Sequence, residues 1–223
     1  DYGIEDRIYE LAFAGGKIAR EAADSFSTAD KPRFVLGSLG PGTKLPSLGH
    51  TTYENLKIAY YTAAKGLSDS GCDALLVETS QDLLQVKAAV NGCRQAINES
   101  DRDIMLIAQV TVETTGTMLL GSEIGAALNT LEPMGIDLIG LNCATGPTEM
   151  SEHLRYLSKN AKIAISVMPN AGLPVLGANG ASYPLGPEEL AIALDGFIDE
   201  YGISLVGGCC GTTPEHLSAV VNK

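Results

Sequence analysis

The sequence has few basic residues. It contains 15 lysines and arginines against 27 aspartates and glutamates among 223 residues, which gives a net charge of −12. The densest basic stretch is the short segment Lys31–Arg33. Because an acidic surface repels phosphate backbones, this composition argues against nucleic acid as a partner.

Long apolar runs are also missing. No segment reaches about 18 consecutive apolar residues, the length that a transmembrane helix requires. Residues 1–6 are acidic and amphipathic, which is not the pattern of a secretion signal. The five cysteines are odd in number and irregularly spaced, so they are a poor disulfide framework. We therefore expect reduced thiols, a cytoplasmic location and no membrane partner.

The chain does show a regular rhythm, in which short apolar runs alternate with longer amphipathic segments. This rhythm predicts βα units around a parallel sheet. Strands are predicted at 33–39, 73–78, 104–112, 136–142, 163–168 and 203–207. Helices are predicted at 6–25, 53–70, 83–98, 122–134, 147–160, 186–201 and 214–222.

About six βα units are too few for a closed (β/α)₈ TIM barrel, which typically takes about 250 residues. A doubly wound open sheet is the alternative. The chain opens with a helix that no predicted strand precedes, and this favours a barrel truncated at its N-terminus. We expect residues 1–223 to form a single, N-terminally incomplete barrel domain of class α/β.

Three cysteines fall at the carboxyl ends of predicted strands, the edge at which α/β folds place their chemistry. Cys143 closes one strand, and Cys209 and Cys210 follow the last. Neighbouring side chains within a strand point to opposite faces, so Cys209 and Cys210 can face one ion only if the strand has already ended. The surrounding glycines, in the segment 207–211, permit such a turn.

Three thiolates suit Zn²⁺, and three protein ligands leave a fourth position open, as in catalytic zinc sites. The resulting centre has a net charge of −1 and is a weak Lewis acid. It is therefore better suited to holding a substrate thiolate for alkyl transfer than to producing hydroxide. The alternative is that all three are buried structural cysteines. We assign that structural role to Cys72 and Cys93.

Other polar residues are weaker candidates. Glu78 ends an apolar strand, where a carboxylate could bind a substrate ammonium group or form a salt bridge. Asn170 offers an amide oxygen at another strand end, or forms a turn. His153 and His216 fall in predicted helices, and we expect them to be surface residues.

Four stretches resemble the zinc-dependent homocysteine S-methyltransferases. They are residues 77–79 (VET), 140–147 (GLNCATGP), 168–172 (MPNAG) and 206–216 (VGGCCGTTPEH). The pairing of GGCCGT with an upstream GxNC is highly specific, and the likeness runs in order along nearly the whole chain. It is strongest to the homocysteine-binding domains of cobalamin-dependent methionine synthases.

The resemblance implies a (β/α)₈ barrel in which Cys143, Cys209 and Cys210 hold zinc. Homocysteine sulfur would take the open position and attack a methyl group, forming methionine. By position, Glu78 would hold the homocysteine ammonium group, and Asn170 would lie beside the metal as a candidate for its fourth site. Two further strands open the domain in the family, and they are missing from this chain.

The same resemblance implies the methyl donor and the partners. In this branch the methyl group comes from methylcobalamin, and ultimately from methyltetrahydrofolate. Both bind other domains, so cobalamin-binding and folate-binding domains of the same polypeptide are the expected partners. Two alternatives stay open: a stand-alone enzyme that uses S-methylmethionine or betaine, and a segment that binds zinc but is inactive.

Overall fold

A computed structural model describes residues 2–177 and 180–223, so Asp1, at the start of the acidic N-terminal segment, lies outside the described residues. The α-helices are α1 (Ile8–Phe26), α2 (Tyr53–Ser70), α3 (Leu83–Asn98), α4 (Ile124–Leu131), α5 (Pro147–Asn160), α6 (Pro187–Tyr201) and α7 (Pro214–Asn222). The strands are β1 (Leu36–Leu39), β2 (Ala74–Ser80), β3 (Met105–Val110), β4 (Leu138–Asn142), β5 (Ala164–Met168), β6 (Val175–Gly177), β7 (Gly180–Ser182) and β8 (Leu205–Val206).

Within these ranges, β1, β2, β3, β4, β5 and β8 form one sheet in that spatial order. The registers that fix the order are parallel: Leu36 pairs with Ala74, Asn142 with Met168 and Val167 with Val206. A sheet in which neighbouring strands follow chain order, each joined to the next by a helix, is the βα arrangement of barrels. The prediction of a barrel-type α/β fold with about six βα units is confirmed.

Local signals in the sequence explain where the helices begin. The Thr52 hydroxyl accepts a hydrogen bond from the Asn55 N–H at 3.2 Å and caps α2. The helices α5, α6 and α7 each begin with proline, whose fixed φ and missing N–H suit the first helical turn. Gly71 ends α2 in a left-handed conformation, which glycine adopts without steric cost.

The chain divides into two compact units. The first consists of Asp1–Glu78 and Leu84–Ala108. In it α1 packs against α2. An ion pair of 2.7 Å between Arg20 and Asp73 ties α1 to the start of β2, and the same carboxylate accepts the Val35 N–H. Cys72 and Cys93 are both fully buried here, so the burial expected of structural cysteines is confirmed.

The second unit consists of Thr79–Leu83 and Gln109–Lys223. All residues of β4 are buried, and α5 packs against α4 and α6. Fully buried leucines on three elements supply much of this core: Leu141, Leu154 and Leu190. Parallel strands that are covered on both faces have continuous apolar runs in their sequence. Such runs allowed β4 and β5 to be predicted.

Some features of the described residues depart from the sequence prediction. The strands β6 and β7 form an antiparallel hairpin that was not predicted. The elements β1, α4 and β8 are shorter than predicted, and β8 covers only Leu205–Val206. No helix in the described part of the chain is long and apolar enough to cross a membrane.

Candidate metal centre

The sulfur atoms of three cysteines come together in the second unit. Cys143, Cys209 and Cys210 have Sγ atoms that all lie within 4.8 Å of one another. The Sγ of Cys210 is 3.8 Å from that of Cys143 and 4.0 Å from that of Cys209. The side chains of Cys143 and Cys209 are half-buried, whereas Cys210 is exposed, so the cluster is open to solvent on one side.

These separations fit one tetrahedral zinc ion. With Zn–S bonds of about 2.3 Å, tetrahedral angles separate the sulfur ligands by about 3.8 Å. A disulfide would instead require an S–S distance of about 2.05 Å. Three soft sulfur donors are a ligand set for Zn²⁺ rather than for magnesium or calcium. The cluster can therefore accept a thiophilic ion with little rearrangement, while its open side leaves a fourth position accessible.

The end of β4 positions Cys143. After Asn142 the chain leaves the strand through two residues with positive φ, 65° at Cys143 and 59° at Ala144. Non-glycine residues adopt this region infrequently, and they concentrate at functional sites. The Cys143 N–H donates to the Met168 carbonyl at 3.2 Å, so the first residue of the turn remains attached to β5.

A glycine-rich turn positions Cys209 and Cys210. Because β8 has already ended at Val206, both side chains can face one point, as the sequence predicted. A Cβ at Gly208 would lie 2.2 Å from Thr212 Oγ1, and Gly211 has a φ of 79°. Both positions therefore require glycine, and the tight turn that they allow brings the two thiols to the same side.

The segment after β5 holds this turn in place. The Cys209 N–H donates to the Pro169 carbonyl at 2.8 Å, and the Ala171 N–H donates to the Cys210 carbonyl at 2.9 Å. Between them, Asn170 is buried and its Oδ1 accepts the Cys210 N–H at 3.1 Å. Asn170 thus lies beside a candidate ligand, and its oxygen has a second lone pair for another partner.

The thiols share protons unequally. The neighbouring Cys209 thiol lowers the pKa of Cys143 to about 6, although partial burial acts in the opposite direction. The same pairing, together with burial, raises the pKa of Cys209. Cys143 is therefore the thiol of this pair that ionises first in the metal-free cluster. A thiolate is the form that binds a metal ion.

Glu78 belongs to the first unit. It lies near the carboxyl end of β2, and its carboxylate accepts a hydrogen bond from the Ser38 hydroxyl at the corresponding end of β1. The register pairs Ser38 with Leu76 and Leu39 with Val77, which brings the ends of the two strands together. The structure thus places Glu78 at a strand end, while the three cysteines and Asn170 lie together in the second unit.

Sequence reasoning missed two residues around the cysteines. The Asn142 side chain donates from Nδ2 to Cys209 Sγ at 3.8 Å. Tyr183 follows the β6–β7 hairpin, and the neighbouring Cys210 thiol raises the pKa of Tyr183. Gly211 gives this ring room, since a Cβ there would lie 2.3 Å from Tyr183 Cγ. The GxNC pattern contained Asn142, but only the fold reveals its contact with Cys209.

The expectation that His216 is a surface residue was wrong. Its side chain is buried, with Nδ1 accepting the Thr213 N–H at 3.2 Å and Nε2 lying 2.9 Å from the Leu185 carbonyl. These partners require a neutral ring whose proton is on Nε2. The ring joins the start of α7 to the segment that carries Tyr183, because Leu185 follows that tyrosine closely in the chain. His153 is half-buried.

Comparisons with known proteins give a consistent result. The family model for homocysteine S-methyltransferase matches residues 1–223. Over 220 residues the chain is 66% identical to methionine synthase from Mycobacterium tuberculosis and 65% identical to that from Mycobacterium leprae. These matches cover 99% of this chain but only 18% of each relative, so the chain corresponds to a small part of those proteins.

The fold has solved counterparts. The metallated form of the homocysteine methyltransferase MmuM from Escherichia coli matches with a TM-score of 0.77 at 20% identity, over 98% of this chain and 72% of that one. Its apo form matches with a TM-score of 0.75 over all of this chain and 76% of that one. The structures share a fold, and the family match covers every residue of the sequence. The chain therefore belongs to the homocysteine S-methyltransferase family.

Proposed function

We propose that this chain is the zinc-dependent homocysteine-binding domain of a methionine-forming methyltransferase, with residues 1–223 acting as one functional domain. The observation that carries the proposal is the cluster of three cysteine Sγ atoms with one open side. Its members lie at the ends of β4 and β8, the edge that carries chemistry in barrel enzymes. The family match and the 66% identity to a methionine synthase support the same reaction.

Cys143, Cys209 and Cys210 would hold the Zn²⁺, which supplies one function: it keeps a substrate thiol ionised at neutral pH. Because three cysteine thiolates give such a centre a net charge of −1, it favours a nucleophilic sulfur over a bound hydroxide. The homocysteine sulfur then forms a bond to the methyl carbon, while the donor leaves with the electron pair of its former bond to that carbon. The thiol proton is released before the attack.

Two further residues would bind the amino acid. Glu78, whose carboxylate is oriented by Ser38, would accept hydrogen bonds from the homocysteine ammonium group. Asn170 is buried against the Cys210 backbone, and its amide oxygen would occupy the fourth position until the substrate arrives. Both assignments rest on the resemblance of residues 77–79 (VET) and 168–172 (MPNAG) to the family. Both residues also lie near the ends of strands.

The remaining chemistry belongs to other domains. Because the matched relatives are more than five times as long, we propose that methylcobalamin and methyltetrahydrofolate bind cobalamin- and folate-binding domains of the same polypeptide. The high identity to methionine synthases favours this donor over S-methylmethionine or betaine. A centre of three reduced cysteines also favours the cytoplasm, where thiols are kept reduced.

Calorimetric titration of the zinc-loaded chain with homocysteine tests the proposal. We expect saturable binding accompanied by proton release, which appears as a dependence of the measured heat on the ionisation enthalpy of the buffer. Methionine, whose sulfur has no proton to lose, is the matched control and should release none. Zinc retention without homocysteine binding would instead identify a metal-binding, inactive segment. Binding without proton release would contradict coordination of the substrate as a thiolate.

A further inference from the structure

One buried amide links a candidate zinc ligand to the end of β2. Asn142 is only 1% exposed, and both ends of its side chain are hydrogen-bonded. Its Oδ1 accepts the Thr79 N–H at 2.7 Å, while Nδ2 donates to Thr79 Oγ1 at 2.8 Å and to Cys209 Sγ at 3.8 Å. All of these residues belong to the second unit.

The orientation of this amide is determined by its partners. A backbone N–H can only donate, so the atom that faces the Thr79 N–H must be the amide oxygen. The NH₂ group therefore faces Cys209, and its two hydrogens serve the sulfur and the Thr79 hydroxyl. With its orientation determined in this way, the amide presents a donor to the sulfur of Cys209.

The backbone around this amide is held on both sides. Thr79 has a φ of 57°, an unusual conformation for a β-branched residue, and two hydrogen bonds from Asn142 support it. The Asn142 carbonyl accepts the Thr111 hydroxyl at 3.0 Å. Because Cys143 follows Asn142 directly, one residue controls two candidate ligands, Cys143 through its backbone and Cys209 through its side chain.

We infer that Asn142 is a positioning residue for the metal centre, which orients Cys209 and withdraws electron density from its sulfur through an N–H···S hydrogen bond. Outer-sphere hydrogen bonds of this kind fix ligand geometry and tune the metal that the ligands hold. The inference rests on the proposed zinc site, and it adds a residue that would act on the ion through Cys209.

Two variants separate the contacts of this amide. In Asn142→Asp a carboxylate oxygen can still accept the Thr79 N–H, but the donor that faces Cys209 is lost. Asn142→Leu keeps the approximate shape and removes every polar contact. Thr111→Val is the matched control, because it removes a buried hydrogen bond to the same residue without changing the amide. Circular dichroism would establish that each variant is folded.

The readouts are the zinc dissociation constant, from competition with a chelator, and the sulfur-to-metal charge-transfer band of the Co²⁺-substituted protein. Both Asn142 variants should bind zinc about 10- to 100-fold more weakly. Their band should move to longer wavelength, because a sulfur that accepts no hydrogen bond gives up electron density more readily. Thr111→Val should leave the band at its wild-type position, and it should weaken zinc binding less than either Asn142 variant.

Wild-type affinity and an unchanged band in Asn142→Asp would overturn the inference. So would an equal shift in Thr111→Val, since the effect would then reflect packing alone. If the wild-type chain itself binds no zinc, the proposed metal centre fails before any variant is compared. The two failures are therefore distinguishable.

Discussion

The five cysteines of this chain fall into two groups with opposite surroundings. Cys72 and Cys93, in the first unit, are completely buried, and burial raises the pKa of Cys93. In the second unit Cys143 is half-buried, and the neighbouring Cys209 thiol lowers its pKa to about 6. The residue type is the same, so position in the fold decides whether a thiol is an inert core side chain or a potential ligand.

The position that matters is the end of a parallel strand. Cys93 lies within α3 among packed side chains, where a thiol acts as a small apolar group. Cys143 and Cys209 each follow the end of a strand, where the chain turns and side chains can converge. Two strand ends that are far apart in sequence then provide three sulfur atoms within 4.8 Å. The predictions below test this difference between the two groups.

The largest expected effect is the loss of metal from a cluster variant. Cys209→Ala leaves two sulfur ligands, so zinc should no longer be retained at stoichiometric occupancy after gel filtration. Cys93→Ala is the matched control: it removes a thiol outside the cluster and should keep its zinc while losing about 1 kcal/mol of stability in urea unfolding. Full zinc occupancy in Cys209→Ala would remove this cysteine from the ligand set.

The second-largest expected effect is a difference in alkylation between the two groups of cysteines. In metal-free protein, alkylation of Cys143 by iodoacetamide should follow an ionisation with a pKa of about 6. Because this pKa is lowered, the reactive thiolate is present above that pH and disappears as the pH falls through it. Cys93 should stay unmodified in the folded protein, since it is buried and its pKa is raised.

Peptide mass spectrometry after timed labelling, from about pH 5 to about pH 9, measures both sites in one sample. The denatured protein is the control, in which the two cysteines should react alike. Equal labelling of Cys143 and Cys93 in the folded protein would contradict the assignment of distinct environments.

Removing a charge outside the cluster should weaken substrate binding without releasing the metal. Glu78→Gln should keep zinc but weaken homocysteine binding about 10- to 100-fold, the range expected for a hydrogen bond to a charged group. Ser38→Ala removes only the hydroxyl that orients Glu78, so its effect should be smaller. Calorimetry on the zinc-loaded variants measures both, and unchanged affinity in Glu78→Gln would remove this residue from the binding site.

The smallest effect is expected at the edge of the cluster. Tyr183→Phe removes the hydroxyl whose pKa the neighbouring Cys210 thiol raises, and it retains the ring that packs against Gly211. Zinc affinity should fall by less than about tenfold, since Cys210 is exposed and water can replace the lost partner. A chelator competition assay measures the change, and a loss as large as that of Cys209→Ala would show that Tyr183 has a larger role than proposed.

Much of the fold could be predicted because its signals are local. The bounds of α2, α3 and α5 agree with the sequence prediction, since caps, first-turn proline and apolar periodicity are encoded within each segment. The β6–β7 hairpin was missed because all of its described residues are exposed, so it has no buried face to produce an alternating pattern.

The candidate site likewise has residues that local sequence signals indicate and contacts that only the fold reveals. Strand-end position and residue type made the three cysteines, Asn170 and Glu78 candidates, and the structure brings the three cysteines together. The contacts of Asn142 with Thr79 and Cys209 span more than 60 residues each, so they depend on how the strands align. The partners of His216 likewise become visible only when α7 and the segment before α6 are placed together.

Metal content is the most direct test of the central claim, that strand-end cysteines form a zinc centre. Inductively coupled plasma mass spectrometry would be applied to reduced protein that has not been exposed to a chelator. We expect one zinc per chain, retained by Cys93→Ala and lost by Cys209→Ala. A wild-type protein that is folded and free of zinc, and that takes up none from a zinc-containing buffer, would contradict it.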